Sequence, residues 1–216
     1  EDENENYDVS SVGYSEKRKV ITSANYTSSK AEKHFFDKQY EDLYKRLEKE
    51  LGDYEIAITD FNKNEDVYII RTYSDRSLGA YYIYDLTSDK LEKITDVSPW
   101  IDENEMANVF PVTYSSRDGL TIHAYLTLPK GYTPETAKNL PTVINPHGGP
   151  WARDGWGFNP EIQFFANRGY AVFQMNFRGS TGYGKKFWEA SFKKWGLEMQ
   201  DDITDGTNWL IKKIIW

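Results

Sequence analysis

Residues 141–150, PTVINPHGGP, and residues 170–184, YAVFQMNFRGSTGYG, are the stretches whose reading decides the fold. Each is a short apolar run that ends in a glycine-rich turn. Runs of this length bounded by turn signals suit strands covered on both faces. Between them, 160–168 carries Ile162, Phe164 and Phe165 and stops at Gly169, which predicts a helix. Two more helices fit 185–195 and 200–213. Strand, helix, strand, helix implies parallel pairing through a right-handed crossover. This part of the chain is α/β.

Upstream, 109–115 and 120–128 flank Arg117-Asp118-Gly119, a hairpin signal. Alternation places Leu120, Ile122, Ala124, Leu126 and Leu128 on one face, with Thr121, His123 and Tyr125 on the other. His123 there reads as structural. Before Pro99-Trp100 the pattern is different. Strands at 54–60, 66–73, 80–85 and 91–96 follow one another with Asn62-Lys63-Asn64, Asp75-Arg76 and Thr87-Ser88-Asp89 between them. Four such strands form an antiparallel meander, the unit of a propeller blade. A helix over 31–51 is expected from Phe36, Tyr40, Leu43, Leu47 and Leu51 with Gly52 as the stop, and a strand over 17–26. Since one blade cannot bury both faces alone, either further blades precede residue 1 or the sheet packs on something else.

Composition narrows the function classes. With 39% hydrophobic and 16% aromatic residues the chain has material for a core, and its 16 Tyr favour sheet. Lys+Arg total 26 against 34 Asp+Glu, and the formal charge of -8 argues against a nucleic-acid partner. The absence of Cys excludes disulfides, thiolate metal sites and a Cys nucleophile. No apolar run approaches the roughly 18 residues of a membrane span. The acidic segment Glu1–Asp8 carries no signal-peptide pattern, and the compartment stays open. Trp209, Leu210, Ile211, Ile214, Ile215 and Trp216 end the chain on apolar residues, so it reads as stopped inside a domain.

The candidate chemistry lies in the two glycine turns. His147-Gly148-Gly149-Pro150 follows a buried strand, and acyl transfer needs fixed N–H donors for a tetrahedral oxyanion. Glycines there let backbone approach substrate, as in the loop that supplies one oxyanion donor in lipase-like enzymes. A plain Gly-Gly-Pro turn is the alternative. In the second turn, Gly179, Gly182 and Gly184 do not have G-x-G-x-x-G spacing, and no Lys-Ser/Thr pair of a P-loop follows, so no nucleotide cofactor is indicated. Ser180 is not in a G-x-S-x-G elbow, because Arg178 stands where the first Gly would be. Arg178 is better read as entering a charge network. Glu198, Asp201, Asp202 and Asp205 suit capping of the last helix, or burial of one as the partner of Arg178, rather than a metal site.

The stretch from about Tyr114 onward resembles the prolyl oligopeptidase family of serine peptidases, in particular its acylaminoacyl-peptidase and dipeptidyl-peptidase-like branch. The matching pieces are Arg117-Asp118-Gly119-Leu120, Leu128-Pro129-Lys130-Gly131-Tyr132, His147-Gly148-Gly149-Pro150, Asn176 to Gly184, and Trp195-Gly196 leading into Asp201-Asp202. Residues 17–96, with Tyr73-Ser74-Asp75-Arg76 and Tyr81-Tyr82-Ile83-Tyr84, are similar to the last propeller blades of such enzymes. The resemblance implies C-terminal propeller blades over 1–105 and the N-terminal part of an α/β-hydrolase catalytic domain over 106–216. It implies peptide substrates, no cofactor, and a Ser-Asp-His triad beyond Trp216, so that no catalytic triad residue is present here. It gives Gly149 an oxyanion N–H role, Gly148 a shaping role, and His147, Arg178 and Gly179 structural roles beside the site.

A carboxylesterase on the same scaffold and a non-catalytic binding module are the alternatives. The family's strand order would put 141–146 between 170–177 and the missing nucleophile strand. The isolated 216-residue polypeptide is then expected to self-associate through that open edge, or to be stable only with the remainder of its domain present.

Overall fold

A computed structural model describes residues 7–213. The acidic residues 1–6 and the apolar Ile214, Ile215 and Trp216 lie outside the described residues. The chain divides into two compact units, Val9–Tyr26 with Ala31–Asn104, and a second that holds Asp8, Thr27–Lys30 and the chain from Glu105 onward. Thr27–Lys30 thus folds with the second unit, inside the stretch that the sequence groups with the first.

The first unit begins with three hydrogen-bonded strands, β1 (Val9–Ser15), β2 (Val20–Thr27) and β3 (Ala31–Phe35), in the order β1-β2-β3. The expected strand at 17–26 is therefore half of a hairpin, with its turn where the strand was expected to start. Lys19 has φ 58 in that turn. The expected helix at 31–51 is corrected too. Its first five residues are β3, and α1 spans only Lys38–Leu51. Phe36 fits the helical period but precedes the cap and is 60% exposed. Asp37 is the boundary: its carboxylate accepts from Tyr40 N–H at 2.9 Å and from Arg18 Nη1 at 2.6 Å. The Arg18 hydrogen bond holds the Asp37 carboxyl below its ordinary value. An N-cap carboxylate satisfies a first-turn N–H that has no helical partner.

The four-stranded antiparallel sheet that follows has the order β4 (Glu55–Phe61), β5 (Val67–Tyr73), β6 (Ala80–Asp85), β7 (Lys90–Asp96). Leu43 and Leu47 of α1 bury against Tyr68, Ile70 and Tyr84 of this sheet. Each such aliphatic side chain contributes about 1.5–3 kcal/mol relative to exposure. Asp37→Ala is expected to destabilise the unit by about 1 kcal/mol through loss of the cap. A urea titration of the intact protein, followed by circular dichroism, should show an earlier first transition; an unmoved one would remove the cap from the account.

The second unit carries β8 (Val109–Ser115), β9 (Thr121–Thr127), β10 (Thr142–Ile144), α2 (Pro160–Ala166), β11 (Ala171–Asn176), α3 (Gly184–Glu189) and α4 (Glu198–Lys212). Its sheet has the order β10-β11-β9-β8. β10 and β11 are parallel, joined by the crossover through α2, and β8 and β9 are an antiparallel hairpin. Every residue of β11 is buried, as its continuous apolar run requires. Ile122, Ala124, Leu126 and Leu128 join Phe173, Met175 and Leu210 in one core. Among the described residues β10 pairs with β11 alone, so its other side is an open edge. Asn145 N–H donates to Phe173 O at 2.9 Å and carries the parallel pairing one step towards the glycine turn. Both glycine turns leave the sheet from the same end of the parallel pair. That is where open α/β sheets bind ligands.

Candidate active-site loops

The turn after β10 is tied to the turn after β11. The His147 ring stacks on Phe177, with centroids 4.6 Å apart and planes 16° from parallel. Its Nε2 lies 2.8 Å from Ser180 Oγ, and its Nδ1 lies 2.8 Å from Gly148 O. Ser180 is fully buried, and its Oγ also lies 2.7 Å from Phe177 O. A second tie runs through backbone, from Thr181 N–H to Ala152 O at 2.9 Å. Beyond α3, Ser191 Oγ accepts from Trp151 Nε1 at 3.2 Å. The two loops are one assembly.

Gly149 has φ +131, and a Cβ placed there would lie 2.9 Å from Trp151 N. Glycine alone fits both the dihedral and the space. Gly148 and Gly149 are exposed, and among the described residues neither N–H donates to a protein acceptor. Gly179 is equally constrained: at φ +97 its Cβ would meet Ser191 Cβ at 2.5 Å.

Arg178 enters the charge network expected of it. Its N–H and Nε donate to Asp202 Oδ2 at 2.9 and 2.8 Å, and its Nη2 donates to Asp202 Oδ1 at 2.7 Å. Its Nη1 and Nη2 also reach Asp118 at 2.8 and 2.9 Å, so both carboxylates are bound by a two-pronged guanidinium. The Arg178 hydrogen bonds hold the Asp118 carboxyl far below the usual carboxylate range. Burial works to raise the Asp202 carboxyl, and its bonds from Arg178 oppose that. Arg117 takes up Asp201 and Asp205, while Lys194 bonds Glu198. The acidic cluster is thus committed to ion pairs. Among the described residues no three His, Cys, Asp or Glu converge as metal ligands, and no helix is long and apolar enough to cross a membrane.

His123 stacks on Tyr183 at 4.6 Å, and burial pushes its imidazole below its ordinary value. Sequence reasoning missed a second polar set under the loops. Asp154 N–H donates to Asn176 Oδ1 at 2.7 Å, Gln174 Nε2 donates to Asp154 Oδ1 at 2.9 Å, and Asn176 Nδ2 reaches Tyr183 OH at 2.7 Å. Arg153 donates to the Thr27 and Ser28 carbonyls and to Tyr183 OH. The available signal was Gln174 and Asn176, two polar residues on one face of an otherwise apolar strand. Such positions must find partners when buried.

Residues 156–216 match the prolyl oligopeptidase family. Dipeptidyl aminopeptidase BIII of Pseudoxanthomonas mexicana is 34% identical over 167 residues, which cover 76% of this chain and 24% of that protein. Residues 156–216 carry the pattern of the prolyl oligopeptidase family, and the likeness to a peptidase of that kind extends over three quarters of the chain. Dipeptidyl peptidase family member 6 of Caenorhabditis elegans is another relative, 32% identical over 152 residues, covering 61% of this chain and 20% of that protein. The chain thus spans a fifth to a quarter of the length of these two relatives. Among solved structures, Pyrococcus horikoshii acylaminoacyl peptidase aligns with a TM-score of 0.65 at 21% identity, over 96% of this chain and 31% of that one. Prolyl oligopeptidase B from Galerina marginata aligns with a TM-score of 0.73 at 15% identity, over 98% and 29%. At these identities the likeness concerns fold.

Proposed function

We propose that this chain is part of a serine peptidase that cleaves oligopeptides through an acyl-enzyme, and that Gly149 supplies one N–H of its oxyanion hole. The observation that carries this reading is the Gly149 amide. Gly149 is an exposed residue, its N–H has no protein acceptor among the described residues, and it is set beyond the end of a parallel strand in a loop braced by a second loop. A tetrahedral oxyanion is stabilised by donors that are already fixed when the charge develops. Gly148 shapes the turn, and His147, Arg178 and Gly179 support it. The names of the dipeptidyl and acylaminoacyl relatives favour peptide substrates over esters. No serine of the 216 residues stands in G-x-S-x-G, so the triad belongs to sequence outside them. The β4–β7 meander is read as one blade of a propeller that precedes the hydrolase fold.

The test compares the intact protein with the 216-residue chain. A fluorophosphonate should label the intact protein once and leave the shorter chain unlabelled. The intact protein should also release p-nitroaniline from dipeptidyl or acylaminoacyl anilides. Labelling at any serine of residues 1–216 would overturn the placement of the nucleophile outside them, and hydrolysis of p-nitrophenyl esters without any anilide cleavage would overturn the peptidase reading.

A further inference from the structure

The His147–Ser180 contact looks at first like a nucleophile with its base. Two observations exclude that role. Ser180 has no exposed surface, and it lies in a turn that is not an elbow. A serine sealed in this way cannot reach a carbonyl carbon. Yet the pair is built with care. A buried hydroxyl spans the His147 imidazole and the Phe177 carbonyl, and the imidazole is fixed in its plane by the Phe177 ring. The imidazole stands two residues before Gly149; with Ser180 O–H donating to Nε2, the neutral ring carries its proton on Nδ1 and donates it to the carbonyl of Gly148, whose peptide leads directly into the Gly149 N–H.

We infer that Ser180 is a positioning residue for catalysis, acting through His147 to fix the direction of the Gly149 N–H. The inference rests on the oxyanion role proposed for Gly149. The turn that carries the donor needs such a brace. Gly148 and Gly149 have no side chains to anchor it, and neither of their amides is tied to protein among the described residues. On the His147 side the brace is the His147–Ser180 bond; on the far side it is the Thr181–Ala152 backbone bond. The Arg178–Asp202 pair pins the Ser180 turn to α4, so the brace ends on a fixed element. A donor that swings by a fraction of an ångström loses stabilisation of the transition state while ground-state binding is kept.

The experiment is a double-mutant cycle in the intact protein, with Ser180→Ala, His147→Phe and the pair, assayed on the anilide that the wild type cleaves best. Phenylalanine keeps a ring over Phe177 and removes both nitrogens. Alanine at 180 keeps the backbone N–H that donates to Phe177 O at 3.0 Å. Each single variant should lower kcat by about 10- to 100-fold, less than outright loss of a donor, with KM within about twofold. The double variant should fall no further than the worse single, because one bond is broken in all three. A peptide aldehyde, whose hemiacetal oxygen takes the oxyanion position, should lose affinity in parallel with kcat. A merely structural role would shift the melting temperature and leave the aldehyde-to-KM ratio unchanged. Single variants with kcat within twofold of wild type, multiplicative losses in the double, or losses in KM alone would overturn the brace. A wild-type protein that cleaves no peptide would overturn the peptidase reading instead, and the inference with it.

Discussion

Gly149→Val in the intact protein is expected to lower kcat by about 100- to 1000-fold, the loss that follows removal of one oxyanion donor. Two effects act together. At φ +131 a β-branched residue is strained, and its Cβ would lie 2.9 Å from Trp151 N, a backbone atom that cannot swing away. The turn must therefore shift, and the N–H shifts with it. KM should change much less, because a substrate carbonyl gains less from this donor than the oxyanion does. Steady-state kinetics on a peptide anilide is the measurement. Unchanged kcat in a folded Gly149→Val protein would remove Gly149 from the oxyanion hole.

The second large effect is on stability. Asp202 is fully buried and the Arg178 side chain is 7% exposed. Asp202→Ala leaves the guanidinium desolvated with Asp118 as its remaining carboxylate, and Asp118 is 48% exposed. Breaking a buried pair by removing one partner costs about 3–5 kcal/mol, because the other charge stays buried. Asp118→Ala should cost less, about 1 kcal/mol or below, since that carboxylate is partly solvated and screened. Urea unfolding of the two intact variants gives the comparison. Equal midpoint shifts would show that burial of Asp202 does not set the cost.

Where periodicity is local and strong, the chain's architecture is legible in its residues. Residues 170–177 read as a strand covered on both sides, and β11 is buried throughout. Arg117-Asp118-Gly119 marks the β8–β9 hairpin, and the alternation of Ile122, Ala124, Leu126 and Leu128 marks its core face. The β4–β7 meander follows from its turn residues. Misreadings occur where the local pattern is weak or double. Val9–Ser15 contains three serines and a glycine in seven residues and becomes a strand only by pairing with β2. Ala31–Phe35 sits beside a helical stripe, and Phe36 fits that stripe, but pairing with β2 claims the segment before Asp37 can cap a helix.

Residue types and spacing by themselves determined the α/β layer, the two glycine turns and the absence of an elbow serine. They also marked Arg178 as a member of a charge network. Only the tertiary structure decided who the partners are. His147 and Ser180 are 33 positions apart, Arg178 and Asp118 are 60, and Arg153 reaches carbonyls more than 120 positions away. A sequence pattern reports what a segment does to its own neighbours over one or two turns or strand repeats. A buried hydroxyl, guanidinium or amide is satisfied by whatever polar atom close packing brings within about 3 Å, and that is set by how the elements stack, not by their order.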